Sequence, residues 1–221
     1  MTSTGHKPSG RSYGGLSAAE RVAGRRRQLL DAALERYGTH GFAATGVKDV
    51  CRQAGLTDRY FYESFRDSSE LFTATFDRTA AELLTLVAAS VADVPPEPET
   101  QVRVAIETFV RALADDRRKG RVLFVETASA GAEAERHVRA SLRHFADLVA
   151  ATARPHLPDT MPERLIRMGA LSLVGAIERV LIEWQDGHLD ATIDEIIDYL
   201  VRMFLATGES VGVTPRRPTR A

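Results

Sequence analysis

Four side chains that can donate hydrogen bonds stand close together in the sequence, at Arg59, Tyr60, Tyr62 and Ser64. Groups of this kind suit contacts with phosphate oxygens and with the edges of DNA bases. The Arg59 guanidinium is the best candidate for reading a base, because it can pair with both O6 and N7 of guanine. Tyr62 has a single donor, which suits a phosphate, and Tyr60 suits either a thymine methyl group or a phosphate.

Two short helices joined by a tight turn must position these side chains. The apolar spacing predicts the helices over residues 47–54 and 58–65, with Ala54-Gly55-Leu56-Thr57 between them. Gly55 allows a backbone conformation that a side chain would resist at this turn. A short helix with a polar outer face after a tight turn is typical of a helix-turn-helix that enters a groove of DNA.

The ends of these two helices add further candidate DNA contacts. Thr45 precedes the first helix as a predicted cap, and we expect Thr45 and Lys48 to be available to phosphates. Thr57 is predicted to cap the second helix. Asp58 has three possible roles there: it can cap the helix, accept a hydrogen bond from cytosine, or hold Arg59 in place.

Charge is distributed unevenly along the chain. Residues 1–66 hold 11 Lys and Arg against six Asp and Glu, residues 67–208 hold 15 against 23, and residues 209–221 hold three against one. A phosphate contact is therefore expected in the basic amino-terminal third, although ordinary surface scatter is the alternative. Arg26 lies in a run of three arginines, which is either a basic extension over DNA or a solvated helix face.

Composition excludes several classes of protein. Of the 221 residues, 44% are hydrophobic and 27% charged, as in ordinary globular proteins. We expect no membrane span and no export signal. We also expect a cytoplasmic location, because a chain with a single cysteine cannot form an internal disulfide. That cysteine, Cys51, is either a redox switch or a buried inert thiol. We find no phosphate-binding glycine loop, nucleophile elbow or metal signature, so we predict neither an enzyme nor a cofactor.

The fold class is predicted to be all-α, with about nine helices. Beyond the two short helices, helical patterns run near residues 18–38, 71–91, 99–115, 119–128, 132–153, 163–186 and 192–208. Ser17 with Glu20, and Thr192 with Glu195, are capping boxes. We predict a disordered basic arm (1–17), a three-helix DNA-binding domain (18–66), a larger helical bundle (67–207) and a disordered tail (208–221).

The helix over residues 163–186 is apolar almost all round, so it must be buried on two sides. One side can meet its own bundle, and a two-fold-related copy of the chain is the economical partner for the other. A monomer that encloses this helix is the alternative. This helix and the last helix, contributed by each of two chains, would form a four-helix interface. The residues expected there are Leu171, Val174, Gly175, Leu181, Ile193, Ile197, Leu200 and Phe204.

Four segments have a specific order and spacing: Gly41-Phe-x-x-Thr-x-Val-x-Asp-Val, Ala54-Gly-Leu-Thr, Phe61-Tyr-x-x-Phe and Ser69-Glu-Leu-Phe. On these residues the region 25–75 resembles the DNA-binding domain of the TetR family of bacterial transcriptional regulators. The resemblance implies a homodimeric repressor that binds a palindromic DNA operator and is released by a small-molecule effector. It also places Tyr62 at the family's phosphate-contacting tyrosine. Gly46, Glu63 and Ser68 depart from the family pattern.

The resemblance implies that the larger bundle, residues 67–207, binds the effector and forms the dimer. The candidate effector contacts are apolar and polar side chains of the bundle: Phe109, Phe124, Glu126, His144, Phe145, Glu178 and Trp184. For each of them taken singly, an ordinary core or surface position is the favoured alternative. Two other functions stay open: a DNA-binding activator or architectural protein without an effector, and a helical small-molecule-binding protein or enzyme whose amino-terminal domain only binds a partner.

Overall fold

A computed structural model describes residues 17–210, with side chains as far as residue 207. Over that range the chain is all-α without a strand, as the sequence predicts, and none of its helices is long and apolar enough to cross a bilayer. The predicted arm, apart from Ser17, and the tail beyond residue 210 lie outside the described residues. The α-helices are α1 Ala18–His40, α2 Val47–Ala54, α3 Asp58–Ser64, α4 Ser68–Ala92, α5 Pro98–Asp115, α6 Arg117–Gly120, α7 Ala132–Ala153, α8 Glu163–Gln185 and α9 Ile193–Ser210.

Two helix starts are capped as the sequence predicts. The Glu20 amide donates to Ser17 Oγ at 3.1 Å, and the Ser17 amide donates to Glu20 Oε2 at 2.7 Å. Thr192 and Glu195 make the same reciprocal pair before α9. Both capping boxes are therefore confirmed, and each satisfies two amides that a helix end leaves without a partner.

α1 extends two residues beyond Gly38, where its predicted range ends. The helix continues to His40 and ends at Gly41, whose φ of 87° lies in the region that favours glycine. Gly38 instead lies where α1 crosses α6. A Cβ atom at Gly38 would stand 2.7 Å from the Cα of Arg118, so the missing side chain lets the two helices touch.

Thr45 does not cap α2, and the prediction that it is available to phosphates is also wrong. The cap position is Gly46, whose amide donates to Asp49 Oδ2 at 3.0 Å, a bond that lowers the pKa of the Asp49 carboxyl. Thr45 is only 6% exposed and donates its hydroxyl hydrogen to the Gly41 carbonyl at 2.8 Å. Thr57 occupies the cap position of α3, but its side chain makes no capping bond there.

One hydrophobic core joins the first three helices to the rest of the chain. Leu29, Tyr37 and Phe61 are fully buried in it, together with Leu71 and Phe72 of α4. Val122, Ala130 and Ala134, which follow α6 in sequence, belong to the same core. The α1–α3 unit therefore packs directly against the bundle, and the predicted boundary at residue 66 stays a prediction.

A second core lies inside the bundle, between α4, α5, α8 and α9. Val110, Leu113, Leu181 and Leu200 are fully buried there, and burial of each such side chain contributes roughly 1.5–3 kcal/mol. A third, smaller cluster joins α7 to α8. Its members are mostly small side chains, which allow two helices to approach closely: Ala146, Ala150, Ile166, Ala170 and Val174.

The helix predicted over residues 119–128 follows a different course. α6 has only four residues; Arg121–Val125 then winds as a π-helix and Glu126–Ala130 as a 3-10 helix. The Glu126 amide bonds to the Arg121 carbonyl, five residues earlier. This wider turn stacks the two side chains, so that Arg121 Nε donates to Glu126 Oε1 at 2.7 Å. Apolar periodicity does not encode such a change of winding.

Candidate nucleic-acid interface

The outer face of α3 is polar because its inner face is fixed by two aromatic side chains. Phe61 is fully buried and Phe65 is 2% exposed, and both belong to the core shared with α1. Their spacing of four residues turns one side of the short helix inward. The opposite side then faces outward, where Tyr62 is 62% exposed and the Arg59 side chain 81% exposed.

The turn before α3 has the geometry that the sequence predicts. Gly55 adopts a left-handed conformation with φ of 66°, and its amide bonds back to carbonyls at the end of α2. A residue other than glycine would be strained there. The turn leaves Lys48 of α2 and Thr57 exposed beside the outer face of α3.

Arg59 is held by Glu63 and not by Asp58. Arg59 Nε donates to Glu63 Oε1 at 3.0 Å, one helical turn away. The second carboxylate oxygen of Glu63 lies 3.7 Å from Arg25 Nη2 of α1. The Arg25 guanidinium in turn lies 4.5 Å from the ring centroid of Tyr60, which is therefore half-buried. One carboxylate thus links the first helix to the exposed face of α3.

Arg26 is used inside the α1–α3 unit, so its predicted role as a phosphate contact is wrong. Its Nη1 donates to the Ser64 carbonyl at 2.8 Å, and its guanidinium lies 4.1 Å from the centroid of the Phe65 ring. This contact satisfies a carbonyl at the end of α3 that has no partner within the helix. Ser64 is correspondingly half-buried, and of the three arginines in the run only Arg27 is exposed.

Cys51 is a buried thiol and not a reactive one. It is 3% exposed, and burial, followed by the nearby Asp58 carboxylate, raises the pKa of the thiol to about 11. A thiol in that state has almost no thiolate at neutral pH, which removes the nucleophilic form. Of the two alternatives for Cys51, the structure favours the inert one.

The predicted DNA contacts therefore divide into three groups. Lys48, Thr57, Asp58, Arg59 and Tyr62 are exposed together around α3. Tyr60 and Ser64 lie at the edge of that face, while Thr45 and Arg26 are engaged within the protein. Sequence reasoning did not find the specific role of Arg25, because spacing along α1 carries no information on what α3 places beside it.

Glu126 connects the bundle to the α1–α3 unit and does not face an effector cavity. Glu126 is 6% exposed, and its Oε2 accepts from the Phe42 amide at 2.7 Å while its Oε1 accepts from Arg121. Nearby, Arg118 of α6 pairs with Glu35 of α1 and with Asp116. The predicted effector role of Glu126 is therefore replaced by a contact between two parts of the fold.

The other predicted effector contacts are scattered. Phe109, Phe124 and Trp184 pack at the edge of the second core, and Phe145 packs on the third cluster. Trp184 Nε1 donates to the Ala191 carbonyl at 3.0 Å. His144 is exposed, so the structure does not place it in the bundle interior. Desolvation by burial raises the pKa of the half-buried Glu178 carboxyl.

An apolar cleft of about 50 Å³ lies between α7, α8 and α9. None of the predicted effector contacts lines it. Its walls include residues from all three helices: Val149, Ala150, Ile166, Gly169, Leu173 and Phe204.

Half of the predicted dimer contacts belong to this chain's own cores. Val174, Leu181, Ile197 and Leu200 are each at most 8% exposed, so they are inaccessible to a second chain and that prediction is wrong for them. Ile193 and Phe204 are half-buried against the second core. The outward face of α8 instead carries Leu165, Met168, Leu171 and Gly175.

Comparison with known proteins matches the part of the chain that contains α2 and α3. Residues 29–75 match the model of the family described as bacterial regulatory proteins, tetR family. Residues 29–75 belong to the TetR family. The matched TetR region runs from Leu29 of α1 to Thr75 of α4 and so contains the whole helix-turn-helix.

Solved structures of TetR-like regulators share the fold beyond that region. A TetR-like transcriptional regulator from Rhodococcus sp. RHA1 is 24% identical, with a TM-score of 0.64 over 86% of this chain and 97% of the other. The fatty acid degradation regulator FadR from Bacillus halodurans is 15% identical, with a TM-score of 0.69 over 81% and 97%. The transcriptional regulator FadR from Bacillus subtilis, solved in complex with stearoyl-CoA, is 16% identical, with a TM-score of 0.63 over 86% and 99%. The chain therefore shares the fold of these TetR-like regulators over most of its length.

Proposed function

We propose that this TetR-family chain is a homodimeric repressor that binds a palindromic DNA operator in the cytoplasm and is released by a small molecule. The observation that carries the proposal is the exposed polar face of α3, set on a buried aromatic base directly after the Gly55 turn. A rigid short helix of this kind can enter a major groove without rearranging the protein. An enzyme would need a constellation of reactive groups that this face does not offer.

The side chains of this face are proposed to contact different parts of the DNA. Arg59 can reach base edges, because its guanidinium stands at the exposed end of a long side chain on the middle of α3. Tyr62 and Lys48 suit phosphates, which fix the position of the protein on the duplex without reading its sequence. The same face repeated by a two-fold axis would require two half-sites about one helical turn of DNA apart.

Arg59→Ala and Tyr62→Phe are expected to affect DNA binding in different ways. Loss of the guanidinium removes a contact that distinguishes guanine, so Arg59→Ala lowers the preference at one base position of each half-site by about tenfold. Tyr62→Phe removes one phosphate donor and weakens binding to all duplexes by about threefold. Selection of duplexes from a random pool, followed by fluorescence anisotropy titration, measures both effects.

The selection also tests the proposed function itself. A palindromic motif recovered by the wild-type protein supports it. A wild-type protein that binds no duplex even at low salt contradicts it and favours the helical small-molecule-binding protein or enzyme. An Arg59→Ala variant with unchanged affinity and site preference contradicts the base-reading role alone.

A second copy of the chain is the proposed partner of the outward face of α8. Met168 is 60% exposed, Leu171 42% and Leu165 39%, and helical spacing places them on one side of α8. Gly175 lies on the same side with no atom within 4 Å of a Cβ built there, so another helix can approach it closely. Tyr199 of α9, 53% exposed, supplies a further large side chain.

Met168→Asp is expected to weaken dimerisation by about tenfold, because association would bury a charge without a partner. Sedimentation velocity over a range of protein concentrations measures the dissociation constant. Leu86→Asp is the matched control, since Leu86 of α4 is 48% exposed but lies on another helix. Equal sedimentation of both variants and the wild type as monomers would contradict the proposed dimer.

The proposed effector is a small molecule with a large apolar part. Its support is the stearoyl-CoA in the structure of the Bacillus subtilis relative. The apolar cleft between α7, α8 and α9 has a volume of about 50 Å³, so it would have to widen to admit such a molecule. An effector bound between these helices would reach the α1–α3 unit through residues 117–130, which contact both parts of the fold. A change in that segment would alter the separation of the two α3 helices and so the affinity for two fixed half-sites.

A further inference from the structure

We propose that Glu63 is a positioning residue for sequence discrimination, which holds Arg59 in a base-reading orientation and opposes its capture by phosphates. The inference deepens the proposed function and rests on it. Glu63 is an acidic residue on the face that would approach a polyanion, so its presence there needs a physical account. Its contacts with Arg59 and Arg25 supply one.

The Glu63 carboxylate occupies only one donor group of Arg59. Glu63 Oε1 accepts from Nε of Arg59 at 3.0 Å. The two terminal amino groups of the guanidinium remain unoccupied by this bond. Those two groups form the fork that pairs with O6 and N7 of guanine. Arg59 can therefore read a guanine without breaking its bond to Glu63.

The Glu63 carboxylate opposes contact between Arg59 and phosphates. A carboxylate has no proton to donate to a phosphate oxygen and is repelled by it. If Arg59 turned away to follow a phosphate strand, the Glu63 carboxylate would lose its partner close to that strand. The Glu63 side chain is 39% exposed, so the repulsion is screened by salt but not removed. On non-cognate DNA, where no guanine stands opposite Arg59, a turn of Arg59 towards a phosphate bears this cost.

Glu63 is itself held in position by a second arginine. Arg25 lies 3.7 Å from the other carboxylate oxygen, and its side chain is only 24% exposed because it packs over the Tyr60 ring. A cation held in place by α1 therefore fixes the carboxylate on α3. Glu63 is thereby kept near Arg59 even while the surface is in water, which reduces the ordering required when DNA binds.

The experiment compares Glu63→Gln with the wild type on two duplexes of equal length and composition. One is the duplex selected by the wild-type protein from a random pool, and the other is its scrambled sequence. Glutamine keeps an oxygen that can accept from Arg59 but has no charge. We expect Glu63→Gln to bind the scrambled duplex about fivefold more tightly than the wild type does. We also expect its slope of log K against the logarithm of the salt concentration to be steeper by about 0.9. The ratio of the affinity for the selected duplex to the affinity for the scrambled duplex falls accordingly.

Two further variants separate this role from a general change of charge. Glu107→Gln is the matched control: Glu107 pairs with Arg111 one turn away on α5, its side chain is 41% exposed, and its loss removes the same charge far from α3. It is expected to leave the ratio unchanged. In an Arg59→Ala background, Glu63→Gln is expected to lose its effect on the ratio, because the residue through which Glu63 acts is gone.

The outcomes are distinguishable. If the wild-type protein selects no duplex from the random pool, the proposed function fails and the role of Glu63 fails with it. If the wild type discriminates but Glu63→Gln behaves like Glu107→Gln, only the role of Glu63 is overturned. The same holds if Glu63→Gln weakens both duplexes equally, or if its effect persists without Arg59. Thermal unfolding of each variant checks that none of these results reflects loss of the fold.

Discussion

Replacing Gly38 by alanine is expected to destabilise the protein by about 3 kcal/mol, although alanine is the better helix former. The cause is the crossing of α1 and α6, where a Cβ atom at Gly38 would stand 2.7 Å from the Cα of Arg118 and closer still to its Cβ. One of these atoms belongs to the backbone, so rotation of a side chain cannot relieve the overlap. The two helices would have to separate, which disturbs the pairing of Arg118 with Glu35.

Gly24→Ala is the matched control, because Gly24 lies in the same helix with no atom within 4 Å of a Cβ built there. That variant is expected to stabilise the protein by about 0.5–1 kcal/mol through helix propensity alone. Urea denaturation followed by circular dichroism gives the free energy of unfolding for both. Two variants that change stability in the same direction would show that α1 and α6 do not touch at Gly38.

Replacing Glu126 by alanine is expected to destabilise the protein by about 2–3 kcal/mol. The substitution leaves the Phe42 amide without an acceptor and removes the partner of Arg121. The Arg121 side chain is 40% exposed, so water can solvate it, and the unsatisfied amide is the larger cost. Phe42 also packs against Tyr37 and Phe72, with ring centroids 5.3 and 5.6 Å away, so the aromatic contact loosens as well.

Two comparison variants separate the loss of the hydrogen-bond acceptor from the loss of a carboxylate charge. Glu126→Gln keeps an acceptor for the Phe42 amide, and it is expected to recover at least half of the lost stability. Glu135→Ala removes a surface carboxylate that pairs with Arg139 on α7, a change worth only about 0.5 kcal/mol or less. Urea denaturation again measures all three variants. A Glu126→Ala protein as stable as Glu135→Ala would contradict the role of Glu126 as a connection between the bundle and α1–α3.

Local patterns in the sequence were enough to predict most of the helices and the outer face of α3. The capping boxes at Ser17 and Thr192 depend on residues three apart, and the burial of Phe61 and Phe65 depends on a spacing of four. Interactions between residues three or four positions apart can be read from their spacing in the sequence. The family resemblance, which rests on the same local spacings, was confirmed over residues 29–75.

Contacts between distant segments were not predictable in the same way. Glu126 meets the amide of Phe42, 84 residues earlier in the chain, and nothing in the spacing of either segment indicates it. Arg26 was interpreted as a DNA contact because its charge is visible in the sequence, while its stacking on Phe65 is not. α8 shows a third kind of limit. A helix that is apolar all round does not reveal which side its own core takes, so Leu181 was wrongly assigned to the dimer interface.

The reactivity of the Cys51 thiol can report local opening of the helix-turn-helix. It is the single thiol of the chain, it lies 3% exposed on α2, and its pKa is raised to about 11 while the helix-turn-helix is closed. Any motion that separates α2 from α3 would expose the sulfur and return its acidity towards that of a free cysteine. The rate at which a thiol reagent modifies the native protein therefore reports the equilibrium between closed and open forms of the DNA-binding surface. The measurement requires no introduced label, and adding DNA or an effector would show directly whether either one slows the opening.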